Sequence, residues 1–100
     1  MYHKRTDANH KQMAAALREA GLTVYDMSKC GFGVPDLLIC RGQHCEWVEV
    51  KAGPREGLTP AEQVFFDVCP GGPPILAWTP TLALAEFEHR EEMLKWSIRR

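Results

Sequence analysis

Apolar residues recur at helical spacing near the start of the chain. Met13, Ala14, Leu17 and Ala20 mark one face of a helix predicted over residues 6–20, which Gly21 ends. Thr6 is placed to cap that helix, with Asp7 in the first turn, where the helix dipole favours an anion. A short strand is expected over residues 22–27, followed by a flexible Cys30-Gly31-Phe32-Gly33 segment. Two more strands, over residues 36–40 and 46–51, flank the turn-like stretch Arg41-Gly42-Gln43-His44. A loop reading AGPREG leads to a second helix that opens on Thr59-Pro60-Ala61-Glu62, a capping box with proline in the first helical position. This helix is expected to turn Val64, Phe65 and Val68 inward and to stop at Pro70-Gly71-Gly72. Residues 74–78 read as a buried strand. Thr79-Pro80 then starts a last helix carrying Leu84, Phe87, Leu94 and Ile98, whose apolar positions suit the core or a second copy of the chain. The order αβββαβα, without repeat, linker or low-complexity tract, describes one mixed α/β domain over residues 1–100.

Composition narrows the classes open to such a domain. At 100 residues, with 45% hydrophobic and 25% charged positions, the chain falls in the globular range and has room for one core. No apolar run approaches the ~20 residues that cross a bilayer, and the polar start MYHKRTDANHK lacks the apolar core of a secretory signal. A cytoplasmic protein without membrane contact is expected. Cys30, Cys40, Cys45 and Cys69 show no C-x-x-C spacing, so they are expected to be reduced, mostly buried thiols, and no zinc is expected. Twelve basic against thirteen acidic residues give a net charge of -1, which argues against gripping nucleic acid by charge alone.

Candidate chemistry is concentrated in GVPDLLICRGQHCEWVEVK. A two-residue loop at Gly42-Gln43, glycine first, suits a type II′ hairpin turn. Arg41 then faces His44, and Asp36 faces Glu49; a four-residue loop gives the same pairing, whereas a three-residue loop shifts it by one. Directly opposed side chains on antiparallel strands lie roughly 5 Å apart. Two carboxylates that close repel unless a cation joins them, and a hard divalent ion such as Mg²⁺ takes oxygen ligands of this kind while keeping several waters. Lys51 shares a face with Glu49, with Val48 and Val50 on the other, so an ammonium stands beside the pair. It is placed to hold a water or to offset charge on a phosphate under attack. Pro35 enters the strand where it costs no interior ladder bond. A solvated ion pair on a strand face is the competing reading of Glu49-Val50-Lys51 alone.

GVPDLLI, WVEVK and LTPAEQVFF, in that order and spacing, resemble the PD-(D/E)xK nuclease superfamily, and most of all its small stand-alone VRR-NUC domains of phages and bacteria. RTDANHKQMAAALREAG also looks like the opening helix of these proteins. The resemblance spans about Arg5 to Trp78 and implies a restriction-endonuclease-like core, a mixed central sheet flanked by helices. It also implies Mg²⁺- or Mn²⁺-dependent hydrolysis of phosphodiester bonds in DNA. Asp36 and Glu49 match the metal-binding carboxylates, the backbone carbonyl of Val50 a further ligand, and Lys51 the catalytic lysine. Gln63 matches a glutamine that helps organise the site, although a solvent-facing glutamine remains the alternative. Members commonly carry a glutamate on the first helix. Here NHKQM offers His10 and Gln12 instead, which leaves Asp7 or Glu19 as acidic substitutes, Asp7 the closer.

The function so implied is a divalent-metal-dependent DNA endonuclease acting on structured or branched, Holliday-junction-like DNA. Its setting would be the cytoplasm of a bacterium or phage-infected host. Symmetric cutting of two strands by a domain with one site calls for a homodimer. Trp47, Arg55, Lys95 and Arg99 are weaker candidates for nucleic-acid contact, with packing the competing role of Trp47. The alternative is a catalytically inactive nuclease-fold module that binds nucleic acid or a protein partner.

Overall fold

The computed structural model describes the backbone of residues 3–98 and the side chains of residues 9–97. Seven elements follow one another: α1 (His3–Glu19), β1 (Thr23–Asp26), β2 (Leu37–Arg41), β3 (His44–Val50), α2 (Pro60–Val68), β4 (Ile75–Ala77) and α3 (Pro80–Ile98). The expected order αβββαβα is the order observed. The four strands form one sheet in sequence order, with β1–β2 and β2–β3 antiparallel and β3–β4 parallel. The last pairing is what the crossover through α2 produces.

Local chemistry explains the element boundaries. Gly21, at φ 96°, closes α1 in a Schellman motif: its own N–H donates to the Arg18 carbonyl at 3.0 Å, and the Leu22 N–H to Leu17 at 3.1 Å. The other end of α1 departs from expectation. The helix begins at His3, so Thr6 lies within it and does not cap it, and Asp7 is outside the first turn. Nothing in His3-Lys4-Arg5 interrupts a helix, which therefore runs on towards the N-terminus. The hairpin has the expected register, with Arg41 paired to His44, Cys40 to Cys45 and Leu37 to Val48. Gly42 takes φ 63° at the first loop position, as a type II′ turn requires. At α2 the Thr59 side chain accepts from the Glu62 N–H while the Glu62 carboxylate accepts from the Thr59 N–H at 2.9 Å, so the capping box is complete.

The sheet has two unlike faces. Val24, Leu37, Ile39, Val48, Val50, Ile75 and Ala77 are buried, and on them pack Met13, Ala14 and Leu17 of α1 and Ala83 and Phe87 of α3, with Leu84 partly buried alongside. Leu38, Trp47 and Glu49 point to the other face, where α2 lies: Trp47 meets Phe65 edge-on with ring centroids 5.6 Å apart. Glu49 is buried at the end of this face, and α2 has no buried residue. The expectation that Val64 and Val68 turn inward is thus overturned, since they are 63% and 71% exposed. The nine-residue helix meets Trp47 through Phe65 and buries none of its residues fully, so Val64 and Val68 stay in solvent.

Leu94 is 46% exposed because α3 outruns its platform. Nineteen helical residues span about 28 Å, whereas the neighbouring β4 has three residues, about 10 Å. Ile98 lies outside the described side chains. The cysteine expectation is also corrected. Cys40 and Cys45 form a disulfide across the hairpin, their Cα atoms 4.1 Å apart, Cys30 is exposed and Cys69 partly exposed. The register that pairs the strands brings these two sulfurs together. Among the described residues, no helix is long and apolar enough to cross a membrane.

Unequal burial predicts unequal mutational cost. Phe87→Ala should destabilise the fold by about 3–5 kcal/mol, and Val68→Ala by no more than about 0.5 kcal/mol, as read by urea unfolding. Comparable losses at the two positions would contradict this account of the core.

Candidate metal site

Asp36 stands one residue before β2, directly after the fully buried Pro35. Its carbonyl faces β1 and accepts from the Met27 N–H at 2.7 Å, while its side chain turns to the other neighbour. There the Val50 N–H would find no main-chain partner, because β2 begins only at Leu37. Asp36 Oδ2 takes that N–H at 2.9 Å. In a strand, the N–H and C=O of one residue point the same way, so the Val50 carbonyl is directed to the Asp36 side. The same Oδ2 lies 3.0 Å from His10 Nε2 on α1. Val50 and His10 thus hold the Asp36 carboxylate from two sides through Oδ2.

The hairpin register carries Glu49 opposite Asp36, and both line one cavity of about 500 Å³ with Val50, Lys51, His10 and Glu62. Glu49 and Lys51 are only 3% and 4% exposed. The Lys51 ammonium lies 2.8 Å from Glu62 Oε1, 3.6 Å from Glu49 Oε2 and 3.8 Å from Glu56 Oε2. Burial works against its charge, but the Glu62 hydrogen bond and the surrounding carboxylates outweigh that and hold its pKa above the ordinary lysine value. Glu62 is held below the usual carboxylate range: burial opposes this, and the bonds from Lys51 and the Thr59 N–H prevail. Glu49 behaves oppositely. Burial, then the charges of Asp36 and Glu62, push its carboxyl up to about 9, against the pull of Lys51.

One atom in the cavity wall stands out. Glu49 Oε1 is buried with no hydrogen-bond partner among the described residues, which is costly for a carboxylate unless a proton or a metal satisfies it. Among the described residues, no group of three His, Cys, Asp or Glu side chains is assembled to hold a metal ion. A cation here would therefore draw on the two carboxylates, the Val50 carbonyl and water. Mg²⁺ commonly accepts such a set.

The structure brings Asp36, Glu49, Val50 and Lys51 together, and it leaves other candidates apart. Gln63 is exposed on α2 and donates to Asp67 Oδ1 at 2.9 Å, outside the cavity. Trp47 is half-buried against Phe65, its packing role. Arg55 is exposed in the loop before α2. Lys95 is exposed on α3, the helix packed against the opposite sheet face. The side chain of Asp7 and all of Arg99 lie outside the described residues.

Three titratable residues enter the site that sequence reasoning did not assign to it: His10, Glu62 and Glu56, which stands in the loop before α2. His10 is 4% exposed and continues the Met13–Ala14–Leu17 face by one turn, so a polar residue at that spacing was the available signal. Its neighbour Asn9 donates to the Lys51 carbonyl at 3.3 Å, so α1 holds both halves of the motif. Glu62 was fully accounted for as a capping residue, yet the Oε1 that accepts from Thr59 also receives Lys51.

No protein-family model matches the chain, and neither the curated proteins nor the solved structures contain a match to it.

The raised Glu49 value has a stability consequence. In the unfolded chain this carboxyl titrates near its ordinary 4.5, whereas the folded one keeps its proton to about 9. Between those values the unfolded state binds fewer protons, so this group's contribution to stability declines as pH rises. In EDTA, Glu49→Gln should remove that decline and raise Tm at pH 8 relative to the wild type. The check is a thermal melt series from pH 4 to pH 9; parallel curves for the two proteins would contradict the assignment.

Proposed function

We propose that the chain is a divalent-metal-dependent DNA endonuclease with a restriction-endonuclease-like core of the VRR-NUC kind. The observation that carries this reading is the convergence of Asp36, Glu49 and Lys51 on one cavity, with Glu49 Oε1 buried and without a hydrogen-bond partner among the described residues. When bound, Mg²⁺ or Mn²⁺ would polarise the phosphoryl oxygen and acidify a water. The chain's own residues have separable tasks. Asp36 and Glu49 hold carboxylate oxygens in place before any substrate arrives, Asp36 because Val50 and His10 fix it from two sides. Lys51 brings positive charge to the phosphate as negative charge develops there, and Glu62 keeps that ammonium oriented. Structured or branched DNA is the substrate class carried over from the resemblance, and a homodimer follows if both strands are cut symmetrically. The proposed setting is the cytoplasm of a bacterium or phage-infected cell. That compartment is reducing, and the β2–β3 ladder keeps Cys40 opposite Cys45 with or without their bond.

A binding module that does not cut is the competing reading. One observation favours it: the Lys51 ammonium is already engaged by Glu62 at 2.8 Å. Incubating the protein with branched and linear duplexes in Mg²⁺, Mn²⁺ or EDTA separates the two. Metal-dependent cutting is expected, and Lys51→Ala should lower it by on the order of 10²–10³ while leaving metal binding largely intact. Asp36→Ala should weaken both. DNA binding without cutting in either metal would sink the endonuclease reading, and an unchanged rate in Lys51→Ala would remove that residue from the catalytic role.

A further inference from the structure

Three consecutive residues beside the cavity have positive φ: Gly31 at 72°, Phe32 at 59° and Gly33 at 78°. The Val34 N–H donates to the Gly31 carbonyl at 3.1 Å, so Phe32 and Gly33 are the central pair of a tight turn with the φ signs of type I′. Glycine takes this backbone freely. A phenylalanine does not, and its position is one that Asn, Asp or Gly normally fills. Phe32 packs on little among the described residues in return, being 95% exposed. The turn is nevertheless firmly seated. A Cβ on Gly33 would collide with the Ala61 carbonyl, so the loop backbone lies directly against the first turn of α2. Gly31, Gly33 and Val34 line the same cavity as Asp36 and Glu49.

An unfavourable backbone state kept at a cleft, with the surroundings fixing it, points from strain to function. Here that backbone carries one exposed aromatic ring, on the residue between two glycines that line the cavity. Lys29, also exposed, precedes it by three residues. A protein interface needs an extended patch of roughly 1,000 Å² or more, which a single ring does not supply. A nucleobase needs only one flat apolar surface, and any base will do, because every base has a π-face.

We infer that Phe32 is a base-stacking residue, its ring engaging an unpaired or unstacked nucleobase of the strand whose phosphate enters the Asp36–Glu49–Lys51 cavity. The inference rests on the DNA-endonuclease reading and deepens it. It makes the turn the element that selects DNA with bases out of the duplex stack.

The test compares wild type, Phe32→Ala and Phe32→Trp in EDTA, which prevents metal-dependent cutting. The probes are a fully paired duplex and a duplex with an unpaired 2-aminopurine at a branch. Phe32→Ala should bind the branched probe roughly five- to a hundredfold more weakly, keep its affinity for the paired duplex within about twofold, and melt at the wild-type temperature. Phe32→Trp should restore branched-probe binding, and its indole emission should be quenched as the probe is added. Equal affinity of Phe32→Ala and wild type for the branched probe overturns the inference, as does an equal loss on both probes. So does a Phe32-dependent self-association in sedimentation with DNA binding unchanged, which would make a second copy the ring's partner. If wild type binds neither probe in EDTA and neither binds nor cuts them in Mg²⁺, the DNA reading itself falls; cutting in Mg²⁺ without binding in EDTA moves the same affinity comparison to Ca²⁺. If wild type binds and, given Mg²⁺, cuts while Phe32→Ala matches it, only the stacking role falls.

Discussion

The two-residue turn at Gly42-Gln43 governs the rest of the molecule, because it fixes which residues of β2 and β3 oppose one another. A slip of one position would exchange the faces of β3, sending Val48 and Val50 out of the core and Glu49 and Lys51 into it. In the observed register the apolar alternates meet α1 and α3, while the polar ones form the cavity wall. Core and site are thus the two faces of one strand pairing. The left-handed backbone of Gly42 is what lets that pairing close in two residues.

The cavity this register creates is electrostatically unfinished. Asp36, Glu49, Glu56 and Glu62 line it with Lys51 as the lysine among them. Glu62 and Lys51 support each other's charged forms, whereas Glu49, deeply buried between two acids, is driven towards its neutral form. A proton resolves that tension in the bare protein. A divalent ion would resolve it too, and would reverse the local field to one that attracts phosphate. The overall charge of -1 is therefore a poor guide to the partner, since the acids that make it negative are gathered where a cation would act.

Much of this was legible because it is encoded locally. Gly21 after an apolar helical face, the Thr59–Glu62 box and the glycine-first hairpin loop each specify a backbone geometry by short-range chemistry. The opposition of Asp36 and Glu49 then follows from counting outward. The same count opposes Cys40 to Cys45, although a reducing compartment would favour free thiols at that pair. What could not be read depends on three-dimensional neighbours. The spacing that puts His10 one turn before Met13 is visible in the sequence, but nothing local marks it as buried or names Asp36 as its partner. Glu62 had one sufficient role in the cap, which concealed its second on Lys51. Val64 and Val68 look like core residues in a helix that has little core to meet. Phe32 reads as part of a flexible connection, and only its φ and the contact of Gly33 with Ala61 show a defined turn packed on α2 beside the cavity.

The central claim is that the hairpin brings two carboxylates together to hold a metal ion. Anomalous diffraction at the manganese edge, from crystals of the protein grown with Mn²⁺, tests it most directly. The account predicts one strong peak between the Asp36 and Glu49 carboxylates, absent from crystals of Glu49→Gln. No peak at that position, or a peak there that survives the loss of the Glu49 carboxylate, would contradict it.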